Sequence, residues 1–144
     1  LTVLGSVTAH GGSIDLSGDT SANALSPSHS PSQVDYWRAD KSVWVGSNAV
    51  LDVSGIALFN PFKAPLPNGG AAPRDGKVLD GGRIRLSNDG GYVVVEQGAR
   101  LDLSGSRAVF DLPAAAGTLG QAPLQPRAVW SDGGELVLAA AGGL

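Results

Sequence analysis

Val43-Trp44-Val45-Gly46-Ser47-Asn48-Ala49-Val50-Leu51-Asp52-Val53-Ser54-Gly55 is rewritten later in the chain as Val93-Val94-Val95-Glu96-Gln97-Gly98-Ala99-Arg100-Leu101-Asp102-Leu103-Ser104-Gly105. Val43, Val45, Ala49, Leu51, Asp52, Ser54 and Gly55 recur unchanged, 50 positions on. Asn48 faces Gly98, and both residue types tolerate the left-handed backbone, so the copy is expected to keep a turn as well as a hydrophobic pattern. Self-similarity at a fixed period marks a stacked-repeat architecture.

The copy extends outward. Gly81-Gly82-Arg83-Ile84-Arg85-Leu86-Ser87 echoes Gly11-Gly12-Ser13-Ile14-Asp15-Leu16-Ser17, and Gly133-Gly134-Glu135-Leu136-Val137-Leu138 is a third, truncated form. The connecting stretches match too. Phe59 follows Ala57-Leu58 as Phe110 follows Ala108-Val109, and Pro73-Arg74 precedes Asp80-Gly81-Gly82 as Pro126-Arg127 precedes Asp132-Gly133-Gly134. The unit is therefore 52 residues from Gly81 to Gly133, stretched to 70 in its first copy from Gly11 to Gly81. Residues 18–41, 56–79 and 106–131 read as insertions into a single domain spanning 1–144.

Within each unit, Ile14/Leu16, Val43/Val45, Leu51/Val53, Ile84/Leu86, Val93/Val95, Leu101/Leu103 and Leu136/Leu138 alternate with polar or small residues. Period two puts the apolar set on one face of a short strand. No window keeps a helical period, and at most a turn of helix is expected near Ala114–Ala116. An antiparallel sandwich needs no near-identical strand–turn–strand blocks, because each strand has its own neighbours. A coil of parallel strands does, because like residues stack on like. The fold expected is all-β, a right-handed parallel β-helix (solenoid) with loop insertions, and a unit of this length is expected to hold more than one coil. Leu101→Asp is expected to bury a charge in the stack and prevent folding.

Composition agrees with many short strands: 21 Gly and 9 Pro, 42% hydrophobic and only 16% charged residues. The net charge of −3 and the lack of a basic cluster leave no source for the phosphate-neutralising contribution that drives nucleic-acid binding. Cysteine is absent, so disulfides and thiolate metal sites are excluded. No apolar run approaches the ~20 residues of a membrane-spanning helix. There is no signal-peptide pattern and no Met, which reads as an excised or processed piece of something longer.

These residues carry a family likeness. Gly-Gly-x-Ile-x-Leu-Ser, the Leu-Asp-(Val/Leu)-Ser-Gly closures and Tyr36-Trp37-Arg38-Ala39-Asp40 leading into Val43 resemble the filamentous-haemagglutinin-type exoproteins of Gram-negative bacteria. The resemblance runs from about Gly11 to Gly143 and implies a passenger of two-partner secretion. Such a passenger is exported through an outer-membrane transporter and folded outside the cell. Asn-Pro-Asn-type secretion motifs are missing, and Asn60-Pro61-Phe62 does not replace them. The resemblance therefore implies an internal stretch of shaft.

Asp15, Asp52 and Asp102 share an Ile/Leu-Asp-Leu/Val-Ser-Gly setting, which fits turn-side carboxylates bonding nearby backbone N–H groups. A glycosidase pair belongs to one site, and a calcium ladder needs tandem Gly-Gly-x-Gly-x-Asp copies. His10 and His29 are the only histidines and read as surface residues, and no Gly-x-Ser-x-Gly elbow surrounds Ser54 or Ser104. The Gly-Gly pairs read as turn residues, since no helix follows them to cradle an anion. Trp44, out of phase with Val43 and Val45, is expected on the outer face beneath a loop. The aromatics Tyr36, Trp37, Phe59, Phe62, Phe110 and Trp130 lie in or beside the insertions, as lids over the coil or as a stacking surface. Tyr36, Trp37, Phe59, Phe62 and Trp130 are the candidate ligand-display residues.

The expected function is a structural and adhesive shaft of a secreted surface exoprotein, displaying loops to a host-surface protein or carbohydrate. No catalytic, cofactor or metal residues are assigned, and no membrane insertion is expected. One rival is a β-helical polysaccharide-degrading enzyme, which requires an acidic or Arg-rich cluster on one outer face. The other is the shaft of a contact-dependent toxin-delivery protein.

Overall fold

The computed structural model describes residues 1–18, 42–66, 69–114 and 123–140. Among them the chain is all-β, with no helix and 13 strands: β1 Thr2–Val3, β2 Ser6–Thr8, β3 Ser13–Gly18, β4 Val43–Val45, β5 Val50–Asp52, β6 Ala57–Phe59, β7 Gly76–Val78, β8 Arg83–Asn88, β9 Val93–Val95, β10 Arg100–Asp102, β11 Arg107–Pro113, β12 Leu124–Trp130 and β13 Glu135–Ala140.

Nine of these strands form three parallel sheets, ordered β1-β4-β9, β2-β5-β10 and β3-β8-β13. The chain visits the sheets in the same order in each of three passes: β1, β2, β3; then β4, β5, β8; then β9, β10, β13. The repeat spacing is the pairing register. Val43 lies beside Val93, Leu51 beside Leu101, Ile14 beside Ile84, and Ile84 beside Leu136. One 52-residue unit therefore makes one pass rather than several, because much of its length goes into a hairpin. The first pass includes a shortened copy, Leu1–Ala9, in which Val3 pairs with Val45 and Val7 with Leu51.

The core is the stack of inward positions. Val43, Val45, Ala49, Leu51, Val53, Ile84 and Leu86 of the middle pass are sealed from solvent, with neighbours above and below. Among the described residues their counterparts in the last pass have a strand neighbour on one side only; Val93 is still buried there, but Val95, Leu136 and Leu138 are 41%, 44% and 41% exposed. Leu101 is likewise only partly buried. Leu101→Asp therefore sets its charge against the core at a partly buried position, and Leu51 is the sealed residue of that column.

Two glycine positions show why the passes lie so close. An added Cβ at Gly82 would meet the carbonyl of Gly12 at 1.8 Å, and at Gly134 the carbonyl of Gly82 at 1.9 Å. The second glycine of the two later pairs therefore permits close approach between passes, whereas the first pair keeps the expected turn role, with Gly11 at φ +62° and Gly12 N donating to Ala9 O at 2.8 Å. Gly98 has φ +103°, and a Cβ there would stand 2.8 Å from the Ser47 carbonyl. Asn48 does not share that conformation, since no non-glycine residue described has positive φ. What the two copies do share is the closing bond, Ala49 N–H to Gly46 O at 2.9 Å and Ala99 N–H to Glu96 O at 3.1 Å.

Buried Asn88 ends β8. Its Oδ1 accepts from Gly90 N at 3.1 Å, and its Nδ2 donates to Tyr92 O at 3.2 Å. Its register partners are small, Gly18 and Ala140, which leaves room for the amide.

Residues 56–79 and 106–131 hold antiparallel pairs, β6–β7 and β11–β12. Each leaves the chain between a strand of the β2-β5-β10 sheet and one of the β3-β8-β13 sheet. Gly18, expected at the start of the first insertion, closes β3, and 19–41 lies outside the described residues. The helical turn considered at Ala114–Ala116 falls mostly outside them as well. Ala114 itself is non-helical and donates to Pro123 O at 2.9 Å.

Candidate functional site

Three surfaces gather chemistry-bearing side chains. The first is the corner after the β2-β5-β10 sheet. Asp52 and Asp102 are register partners, and each bonds the residue two ahead. Ser54 N donates to Asp52 Oδ1 at 2.9 Å. Ser104 donates to Asp102 Oδ1 from its amide at 3.1 Å and its hydroxyl at 2.7 Å. The Ser54 hydroxyl and amide, with His10 adding a smaller share, hold Asp52 below the usual carboxylate range. The Ser104 hydroxyl and amide, then Arg100 at 2.7 Å, bring Asp102 down to about 2. The turn-side reading is therefore met for these two. Asp15 is a correction: it lies mid-strand in β3, in register with Arg85, in a different sheet. Its local motif matches while its place in the fold does not.

His10 brings a third residue type to this corner. Its Nδ1 lies 3.1 Å from Ser54 Oγ and 3.7 Å from Asp52 Oδ1. A Ser-His-Asp triad uses opposite ring nitrogens for base and orienter. Here one nitrogen faces both partners, so the group links passes and lacks the geometry of a nucleophile relay. Among the described residues, no three His, Asp or Glu side chains are grouped to hold a metal.

The second surface is the outer face of the β3-β8-β13 sheet. Arg83 and Arg85 project from the central strand, with Ser13 and Asp15 on one side and Glu135 on the other. Arg83 Nε lies 3.4 Å from Glu135, and Ser13, Ile14, Asp15, Arg83 and Arg85 line a shallow groove of about 160 Å³. The face is of mixed charge, two arginines beside two carboxylates, where the enzyme reading requires an acidic or Arg-rich cluster. It is open to solvent, with both members of the Arg83–Glu135 pair more than half exposed.

The third surface is made by the hairpins, which pack on one another. Phe59 meets Phe110 edge-to-face, centroids 5.3 Å apart, and Phe110 is buried there. Phe110 is thus a packing residue between hairpins. Arg74 donates to both oxygens of Asp111, Nη2 at 2.9 Å and Nε at 3.3 Å, and its amide donates to the same carboxylate at 2.7 Å. The arginine lowers the Asp111 pKa, and the carboxylate raises that of Arg74. At the base, Ser131 Oγ accepts from Ser106 N at 2.7 Å and donates to Leu79 O at 2.8 Å.

Of the candidate display residues, Phe59 and Phe62 lie on or just beyond β6, and Trp130 ends β12 with the Arg107 guanidinium 5.9 Å from its ring centre. Phe62 is 92% exposed and Trp130 69%. Tyr36 and Trp37 lie outside the described residues, as does His29. Trp44 is exposed on the outer face, as its phase predicts, and donates to Glu96 Oε1 at 2.8 Å. The other oxygen of Glu96 accepts from Ser47 N at 2.7 Å. The Trp44 indole and the Ser47 amide depress the Glu96 pKa. Neither this strap nor the Arg74–Asp111 clamp was found by sequence reasoning, because each partner is an ordinary polar residue far away in the chain.

Comparison with known protein families, curated proteins and solved structures finds no match to this chain.

Proposed function

We propose that this chain is a right-handed parallel β-helix segment acting as the structural and adhesive shaft of a secreted bacterial surface exoprotein of filamentous-haemagglutinin type. The observation that carries the reading is the threefold traversal of the same three parallel sheets, with like residues in register from pass to pass. Such a stack gains stability from each neighbouring layer, which suits a rod that grows by repetition. Hairpins leave it at one corner and meet side by side, so they can vary in sequence without disturbing the stacked columns. Export through an outer-membrane transporter and a place at the cell surface belong to the same proposal. Contact partners would be host-surface proteins or carbohydrates.

The test is adhesion. Beads carrying the protein are expected to bind target cells, and Phe62→Ser with Trp130→Ser is expected to weaken that binding with no change in circular dichroism. Equal binding by the variant would remove the hairpins from the adhesive role.

A polysaccharide-degrading enzyme is the second reading, favoured by the Asp15, Arg83, Arg85 and Glu135 face. That face has no cover to exclude water, which weighs against it as a catalytic cleft. Release of reducing ends from acidic or neutral polysaccharides, lost in Asp15→Asn or Glu135→Gln, would make it the better reading.

A further inference from the structure

The hairpin stretches differ from the rest of the molecule in charge and polarity. Residues 56–79 and 106–131 hold Lys63, Arg74, Lys77, Arg107 and Arg127 against Asp75 and Asp111, a net +3. The whole chain carries −3, so the remainder carries −6. Seven of the fifteen exposed large apolar side chains among the described residues also fall in these two stretches. Lys63 and Arg74 are paired with Asp75 and Asp111, while Lys77, Arg107 and Arg127 make no ion pair among the described residues.

The segment after β6 concentrates this character. Phe62, the most exposed of the large apolar side chains, is followed by Lys63 and, three residues further on, by exposed Leu66. The segment is a built structure. Phe62 N donates to Asn60 Oδ1 at 3.0 Å, Asn60 N donates to Asp75 O at 2.8 Å, and Lys63 Nζ lies 3.1 Å from Asp75 Oδ2. Its polar groups are thus engaged with one another. A sugar site needs free donors and acceptors round an aromatic face, whereas a lipid interface needs apolar side chains held outward and positive charge nearby.

We infer that this segment seats on an anionic lipid bilayer, with Phe62 and Leu66 entering the headgroup region and the hairpin cations drawn to its charge. Seating at that depth requires no membrane span. The inference rests on the reading of the hairpins as displayed elements and specifies their partner.

The experiment is flotation of the protein with phosphatidylcholine vesicles with and without phosphatidylglycerol. The protein is expected to float with the anionic vesicles and to remain behind with the neutral ones. Added salt is expected to weaken binding, because each exposed cation gains from the anionic surface. Phe62→Ser with Leu66→Ser is expected to weaken binding by about tenfold or more, from the apolar transfer lost. Its circular dichroism and urea midpoint should match those of the parent, since both side chains are exposed. Lys77→Glu with Arg127→Glu is expected to weaken it independently. No flotation, equal flotation by the Phe62/Leu66 variant, or retention on dextran-sulfate beads without vesicle binding would overturn the inference. Failure here leaves the bead-adhesion test of the shaft reading intact, because that test detects partners of any class.

Discussion

Truncating Leu51 to Ala removes the sealed centre of one column, where Val7 and Leu101 lie in register on either side. Leu51 is 0% exposed, so the loss combines the transfer energy of the removed atoms with an unfilled cavity, together about 3.5 kcal/mol. Leu101 makes the same contact with Leu51 but has no third-layer neighbour among the described residues, and it is only partly buried. Leu101→Ala is therefore expected to cost about half as much, near 1.5 kcal/mol. With a urea slope of about 2 kcal/mol per molar, the midpoint should fall by about 1.7 M for Leu51→Ala and about 0.8 M for Leu101→Ala. Urea titration followed by circular dichroism reads both values, and the slopes should be unchanged. Equal losses at the two positions, or a loss under about 1 kcal/mol at Leu51, would refute the assignment of the middle pass as the sealed layer.

Acid should loosen the corners and straps. Asp102 is held at about 2, and Asp52, Asp111 and Glu96 are also depressed. Groups of this kind stabilise the folded chain above their unfolded values, near 4, and cease to do so as pH falls through the folded ones. The urea midpoint should hold steady from neutral pH to about 5 and decline between about 4 and 2, and Ser104→Ala should flatten that decline. An unchanged midpoint at the acid end would contradict it. Gly82→Ala should cost about 3 kcal/mol or prevent folding, because its Cβ meets the Gly12 carbonyl, whereas Gly133→Ala should cost under about 1 kcal/mol. Thermal denaturation of the two variants reads the contrast. Arg74→Ala removes the partner of Asp111, whose side chain is 19% exposed, and should leave the global urea midpoint little changed, while hydrogen exchange at the Asp111 amide rises as the hairpins part.

Much of the architecture was legible because stacking writes itself into sequence. Parallel strands in register place like beside like, so the Leu51/Leu101 and Ile84/Leu136 recurrences are contacts as well as similarities. The shortened copy at Leu1–Ala9 escaped notice because two residues, Leu4-Gly5, replace the four-residue turn 46–49, leaving too few shared positions. Asp15 was grouped with Asp52 and Asp102 because a five-residue motif carries no information about which sheet receives it. The expected Asn48/Gly98 turn is kept in both copies, but only Gly98 takes the left-handed backbone. A turn with the same closing bond has more than one backbone solution, and at Gly98 a side chain would also crowd the Ser47 carbonyl across the layer.

Strand periodicity and the recurrence that becomes the pairing register were determined by the sequence, since each depends on residues near one another or on plain recurrence. Tertiary structure decided which layer is sealed, how His10 stands to Ser54 and Asp52, and that the hairpins are clamped through Arg74, Asp111, Phe59 and Phe110. Those outcomes depend on how many neighbours a layer has and on distances between groups far apart in the chain. Local propensity and pattern contain neither quantity.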